Sequence, residues 1–243
     1  MAESLKGKLR VELAHGELRR EVIEMVNDYH YTHSSGAVQY PFAVMAQQMN
    51  ENGLVEWEQL IGCALYGSGT NQNIGGMFGL QACDAVELLR LFILDDAKRY
   101  LGSNQIGSHV LGQTLSYLTK HTPHHIAISY TDPKQDHMGL VYQAANWVCI
   151  GQTKPDYEVE INGVVFQQRT VNSILGTAGI NKLKMMAKLT PDLTIERKTL
   201  PPKYRYAYVV SSEKSMRKQL QKKLEQMKIN NPKKESDSNA EAA

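Results

Sequence analysis

Residues 102–132 read GSNQIGSHVLGQTLSYLTKHTPHHIAISYTD, and the fold turns on them. From its small polar entrance onward the stretch is a helix, presenting Val110, Leu111, Leu115 and Leu118 to a core at helical spacing. HIAISYTD then forms a short apolar strand that ends on Asp132. Just upstream, AVELLRLFILDD (85–96) reads as another strand, stopped by Asp95 and Asp96. Strand, Gly/Ser turn, helix and strand in that order imply a parallel pair, because a helical crossover returns the chain in the same direction. The N-terminal N–H groups of that helix then lie at a Gly/Ser turn, a place receptive to anions.

Outward from this unit the chain keeps alternating. DHMGLVYQAANWVCIGQTKP (136–155) opens on an Asp-His pair, passes through a short helix, GLVYQAAN, and enters a strand, WVCIG. Asn146 suits a left-handed helix stop. YEVEINGVVFQQR is a hairpin with Asn162-Gly163 as a type I′ turn. INKLKMMAKL is a basic helix, KYRYAYVV a last strand, and SSEKSMRKQLQKKLEQMK an amphipathic basic helix with Met216, Leu220, Leu224 and Met227 on one stripe. Before the central unit, ELRREVIEMVNDYH is helical, YTHSSGAVQYP a polar loop, and WEQLIGCALYG a strand. The fold class is α/β, or α+β, with a mixed sheet flanked by helices. The expected organisation is one catalytic domain over 1–210, a basic helix over 211–229 and a disordered tail over 230–243.

No run approaches the roughly 18 apolar residues of a membrane span, and the N-terminal residues lack the apolar stretch of a signal peptide. Cys63, Cys83 and Cys149 form no metal-type spacing and read as reduced thiols, so a cytoplasmic setting is expected. The formal net charge of +2 hides an asymmetry: residues 1–168 hold 11 Lys/Arg against 18 Asp/Glu, and residues 169–234 hold 16 against 4. A block that basic on an acidic chain is a footprint for a polyanion. It begins at Arg169, Lys182, Lys184 and Lys188, well before the C-terminal helix.

Several residues could carry chemistry. The entrance GSNQIGSH is neither a Walker loop nor a dinucleotide fingerprint, but its Gly residues allow close approach. Arg90, inside LLRLFIL, needs a partner or a ligand, because an unpaired buried guanidinium is costly. That partner is a carboxylate, Asp132 among the candidates, or an anion. Asp132 stands at a strand's C-terminal end, where open sheets place their crevices, and equally where a turn before Pro133 would use it. Tyr142 lies one helical turn before Asn146, facing either a site or the core. No His spacing matches a zinc signature.

These residues resemble two nested groups. The strand–helix–strand–short-helix–strand order resembles the Gcn5-related acyltransferase fold, a mixed, twisted sheet flanked by helices. More narrowly, ELLRLFILDD, GSHVLGQTLSYL, ISYTDPKQDHMGLVYQAANWVCIGQT and PPKYRYAY resemble the phage Mom family of DNA adenine-modifying proteins. The resemblance implies a transferase that places a methylcarbamoyl-type group on adenine N6 in double-stranded phage DNA, so that the DNA escapes host restriction in the bacterial cytoplasm. It implies acetyl-CoA as the acyl-CoA donor, with iron as a further possibility and metal ligands unknown. By the same resemblance, Arg90, Asp132 and Tyr142, with His30 and Tyr31, are the catalytic set. Ser108 or Ser103, with Gly107 and Gly112, would hold the cofactor. Arg169, Lys182, Lys184, Lys188, Lys203 and Arg205 would hold DNA, and Tyr130, Trp147 and Tyr40 are candidate base-stacking residues. Where the family has an Arg after the entrance Ser, this chain has His109. The alternative is an acetyl-CoA-dependent N-acyltransferase acting on a small amine or a protein.

Overall fold

The computed structural model describes residues 5, 8–30, 34–69, 73–135, 137–190 and 192–232. In chain order the elements are β1 (Leu9–Leu13), α1 (Gly16–Tyr29), β2 (Val38–Met49), β3 (Val55–Gly67), β4 (Ala85–Ile93), α2 (Asp95–Leu101), α3 (Ile106–His121), β5 (Ile126–Tyr130), α4 (Leu140–Ala144), β6 (Val148–Gln152), β7 (Tyr157–Ile161), β8 (Val164–Gln167), α5 (Gln168–Leu175), α6 (Ile180–Leu189), β9 (Ile195–Thr199), β10 (Tyr204–Val209) and α7 (Lys214–Met227). This is a mixed α/β fold whose mixed sheet is flanked by helices.

The chain packs as two compact units. Among the described residues, one comprises those up to 130, 139–151 and 205–231; the other comprises those of 131–138, those of 152–204 and residue 232. The first is built on a seven-stranded sheet in the order β1-β2-β3-β4-β5-β10-β6. β1–β2, β2–β3, β3–β4 and β5–β10 pair antiparallel, and β4 with β5 is the parallel pair anticipated from the crossover helix. α1 covers one face through Val22 and Val26, packed with Ala43, Met45, Cys63 and Leu65. α3 contributes Thr114, hydrogen-bonded to buried Tyr66, and Tyr117, edge-on to Phe42. A further cluster joins Ile126, Ile128 and Ala207 of the sheet to Leu220 and Leu224 of α7. The C-terminal helix is thus part of this unit's core.

Two features depart from the sequence reading. β2 begins at Val38, inside the segment read as a loop on its small polar residues. Here Pro41 lies just past the β1 ladder, whose last rung is Leu13–Phe42, so its missing N–H costs that ladder nothing. Asp95 and Asp96 do not merely stop β4: they form the acidic first turn of α2, where the helix dipole favours them.

The second unit has its own small core. β7 lies between β8 and β9 in an antiparallel sheet, and Val159, Val171, Leu183 and Ile195 bury against one another. Asn162 (φ 49°) and Gly163 (φ 81°) are both left-handed, as a type I′ turn requires. Lys134–Glu158 and Lys198–Glu160 ion pairs, each at 2.8 Å, neutralise two of its acids.

Candidate active site

The parallel ladder between β4 and β5 is short. Its rungs are Ala85–Ile126, Val86–Ala127 and Glu87–Ile128, and there it ends. On the other side of β4 the register against β3 shifts between Leu65–Arg90 and Tyr66–Leu88, so one extra residue, Leu89, is accommodated. Such a bulge bends its strand and disrupts pairing. The two strands therefore part beyond Glu87, and side chains occupy the gap.

Ser129, the next residue of β5, bridges it. Its Oγ hydrogen-bonds the Leu88 carbonyl oxygen at 3.2 Å and the Tyr142 hydroxyl at 2.9 Å. Tyr142 comes from α4, which opens on Gly139 in the left-handed region (φ 81°) and gives way to Asn146, also left-handed (φ 60°). The ring of Tyr142 packs against Tyr206 (5.1 Å between centroids) and Trp147 (5.5 Å). Gln143 Nε2 donates to the Tyr206 hydroxyl at 3.1 Å. Burial pushes the Tyr142 phenol up from its ordinary value, and the Glu87 carboxylate adds to the shift. Tyr206 is pushed up to about 12, chiefly by burial. Both phenols keep their protons at neutral pH.

Gly139 is the backbone hinge of this arrangement. A Cβ there would stand 2.5 Å from the Tyr206 ring, and the positive φ disfavours any L side chain. Gly139→Ala is expected to cost about 2–4 kcal/mol, from the left-handed backbone and the overpacking together. Urea unfolding monitored by circular dichroism measures it.

Arg90 is held by backbone: Nε donates to the Ser34 carbonyl at 2.8 Å and Nη1 to the Leu89 carbonyl at 2.5 Å. Its partners therefore include carbonyls on the bulge and on the segment after α1. His30 is buried at the end of α1, edge-on to Phe92 at 6.1 Å. Tyr31 lies outside the described residues. Asp132 belongs to the second unit, where its Oδ1 accepts from the Lys134 N–H at 3.2 Å, the hydrogen bond of a turn-forming aspartate.

At the head of α3 no side chain caps the first turn, whose N-cap is Gln105. Ser103 is buried and accepts from the Gln105 N–H at 3.1 Å. Ser108 Oγ donates to the Gln105 carbonyl at 3.0 Å. Gly107 is required by packing: a Cβ would meet Val141 of α4 at 2.8 Å. Gly112 lies further along, beside a cavity of about 560 Å³ lined also by Ser116, Tyr208, Arg217 and Gln221. Ser103, Gly107 and Ser108 thus share the helix head, and Gly112 opens on a different space.

Lys182, Lys184 and Lys188 are exposed on α6. Arg205 instead lies partly buried on β10, its guanidinium 5.8 Å from the centroid of the Tyr130 ring. Lys203 is partly buried and its N–H donates to Thr153 Oγ1. Arg169 is within α5, and its side chain is outside the described set. Trp147 is core, 4% exposed, and Tyr40 sits edge-on to His124. Among the described residues no group of three or more His, Cys, Asp or Glu side chains could hold a metal ion. No described helix is long and apolar enough to cross a membrane.

Sequence reasoning missed Glu87, Ser129 and Tyr206. Glu87 forms the last rung of the parallel pair, and its charge raises both Tyr130 and Tyr142. Gly69 makes room for it, since a Cβ there would overlap the Glu87 carboxylate. An acid and a serine on otherwise apolar strands, AVELL and AISY, were the available signals.

The raised phenols Tyr40, Tyr66, Tyr130, Tyr142 and Tyr206 also set an alkaline limit. The unfolded chain loses these protons near pH 10, before the folded one does, so their contribution to stability is complete below about pH 10 and falls above it. Melting temperature should decline through pH 10–12, and Tyr206→Phe should flatten that decline.

Solved structures align with most of this chain at low identity. They include Arabidopsis thaliana NAA60 with a bisubstrate analogue (TM-score 0.45, 9% identity, 83% of this chain and 97% of that one). Others are yncA of Salmonella typhimurium with acetyl-CoA (0.44, 9%, 84% and 95%) and spermidine N-acetyltransferase from Vibrio cholerae with CoA and spermine (0.41, 9%, 83% and 95%). No match was found among curated protein sequences. The family profile that matches does so over residues 16–231, most of the chain: the protein belongs to the Mom protein family.

Proposed function

We propose that the protein modifies the exocyclic N6 amine of adenine in double-stranded phage DNA, using an acyl-CoA donor, and so shields that DNA from host restriction. The observation that carries the reading is the Tyr142 hydroxyl, held by Ser129 where β4 and β5 part, in a chain of the Mom family. Adenine N6 is a weak nucleophile because its lone pair is delocalised into the ring, so activation and charge stabilisation are both needed.

Tyr142 holds a proton at Oη that it can give, or share, as negative charge develops. Its neutrality follows from burial and from the nearby Glu87 charge. Asp132 orients the N6 amine or accepts its proton, a role that rests on the family resemblance. Arg90, fixed by two carbonyls, holds the bulge and lends positive charge. The residues at the head of α3 fit an anionic cofactor: the first turn is uncapped by any side chain, with Ser108 in it. Bound there, acyl-CoA would supply an activated carbonyl carbon. Transfer to a small amine would leave the acid-free lysine helix α6 without a use.

The test is protection. DNA from bacteria expressing the protein should resist restriction enzymes whose sites contain adenine, and DNA from cells expressing Asp132→Ala should be cut normally. Normal cutting of both, with both proteins abundant, overturns the reading.

A further inference from the structure

Resting on that reading, we infer that α6 is a DNA-entering helix, and that Met185 and Leu189 are a wedge that opens a base step while the lysines beside them grip phosphates. The inner face of α6 is accounted for: Leu183 is fully buried, and Ile180 and Ala187 pack with it against the small core of the second unit. The outer face is unusual. Met185 is 67% exposed and Leu189 86% exposed, although both are large apolar residues. At about 100° per residue they lie side by side on the crest, with Lys184 and Lys188 on one flank and Lys182 on the other.

Charge says what covers this face. Residues 161–191 carry Arg169, Lys182, Lys184 and Lys188 and no acidic residue. The three lysines of α6 have no ion-pair partner among the described residues, whereas Lys134 and Lys198 of the same unit do. An apolar pair flanked by unpaired cations is complementary to an opened duplex, where phosphates run along both sides of a groove and the faces of the parted bases are apolar. Proteins that kink DNA insert Met, Leu, Ile or Phe between base pairs in this manner. Met186, 40% exposed, lies about 100° from Met185, beyond Lys182, so the crest itself is two side chains wide, too narrow for a stable self-association surface, which takes roughly 800 Å² from each partner. A membrane-surface helix would need a broader apolar face. The chemistry gives the wedge its purpose, since an enzyme that works on a base must take it out of the stack.

The two parts separate experimentally in the full-length protein. Duplex binding is followed by fluorescence anisotropy across a salt series, and unstacking by the fluorescence of 2-aminopurine within the duplex. Lys182→Ala/Lys184→Ala/Lys188→Ala should weaken binding to every duplex and reduce the slope of log K against log salt by about 2.7, or about 0.9 for each lost phosphate contact. Met185→Ala/Leu189→Ala should keep the parent's slope and melting temperature, its side chains being exposed, yet lose most of the 2-aminopurine fluorescence increase. It should also lower adenine modification at least about tenfold.

A wedge variant that unstacks DNA as the parent does overturns this inference. If that variant also modifies adenine fully, the proposed activity still stands. A change from dimer to monomer in the wedge variant, or loss of vesicle binding with DNA binding intact, would assign the crest to self-association or to a lipid surface instead. Failure of the parent protein to bind duplex DNA would overturn the proposed activity and this inference together.

Discussion

On the proposed function, Tyr142→Phe is expected to lower the rate of adenine modification by about a hundredfold or more while leaving the protein folded. The substitution keeps the ring, and with it the contacts to Tyr206 and Trp147. It removes one oxygen, which in the native protein hydrogen-bonds Ser129 and stays protonated because burial and the Glu87 charge disfavour its anion. Ser129 retains the Leu88 carbonyl as a partner, so no buried polar group is orphaned and the stability cost is about 1 kcal/mol. A packing role alone would leave activity close to normal; a proton-bearing role would not. Circular dichroism and the modification rate, measured on the same preparation, distinguish the two. Glu87→Gln should weaken the electrostatic hold on Tyr142 and move the alkaline limb of the pH–rate profile to lower pH.

The second large effect concerns stability. Leu220→Ala in α7 is expected to cost about 3 kcal/mol, the ordinary penalty of a large-to-small change in a packed core. It should lower the melting temperature by about 6–12 °C. Leu220 is 1% exposed and Leu224 4% exposed, and both share a cluster with Ile126, Ile128 and Ala207 of the central strands. Removal of the chain from Ser211 onward would open that cluster to water, and the first unit should then fail to fold cooperatively. A helix serving only as a detachable basic arm would tolerate both changes. Thermal unfolding followed at 222 nm measures the difference.

How much of this could be read beforehand depends on the kind of signal. The parallel pair was legible because a helix between two strands leaves few topologies. Asn146 and Asn162-Gly163 were legible because left-handed backbone selects few residue types. The stripe of α7 was legible too, but periodicity shows that a face is apolar, not which core it joins. For the same reason the separate small core of Val159, Val171, Leu183 and Ile195 was invisible. β2 was hidden because its first residues follow directly on a run of small polar residues that reads as loop. At the site, Tyr142 stood out by composition, whereas Ser129 and Glu87 gain meaning only from the bulge that ends the β4–β5 ladder. A register shift leaves no mark in one sequence.

Nucleoside mass spectrometry on DNA from bacteria expressing the protein, beside an Asp132→Ala control, tests the central claim most directly. The account predicts a new adenosine-derived nucleoside, absent from the control, whose added mass identifies the group installed. An unchanged nucleoside profile with the protein soluble and abundant would contradict it.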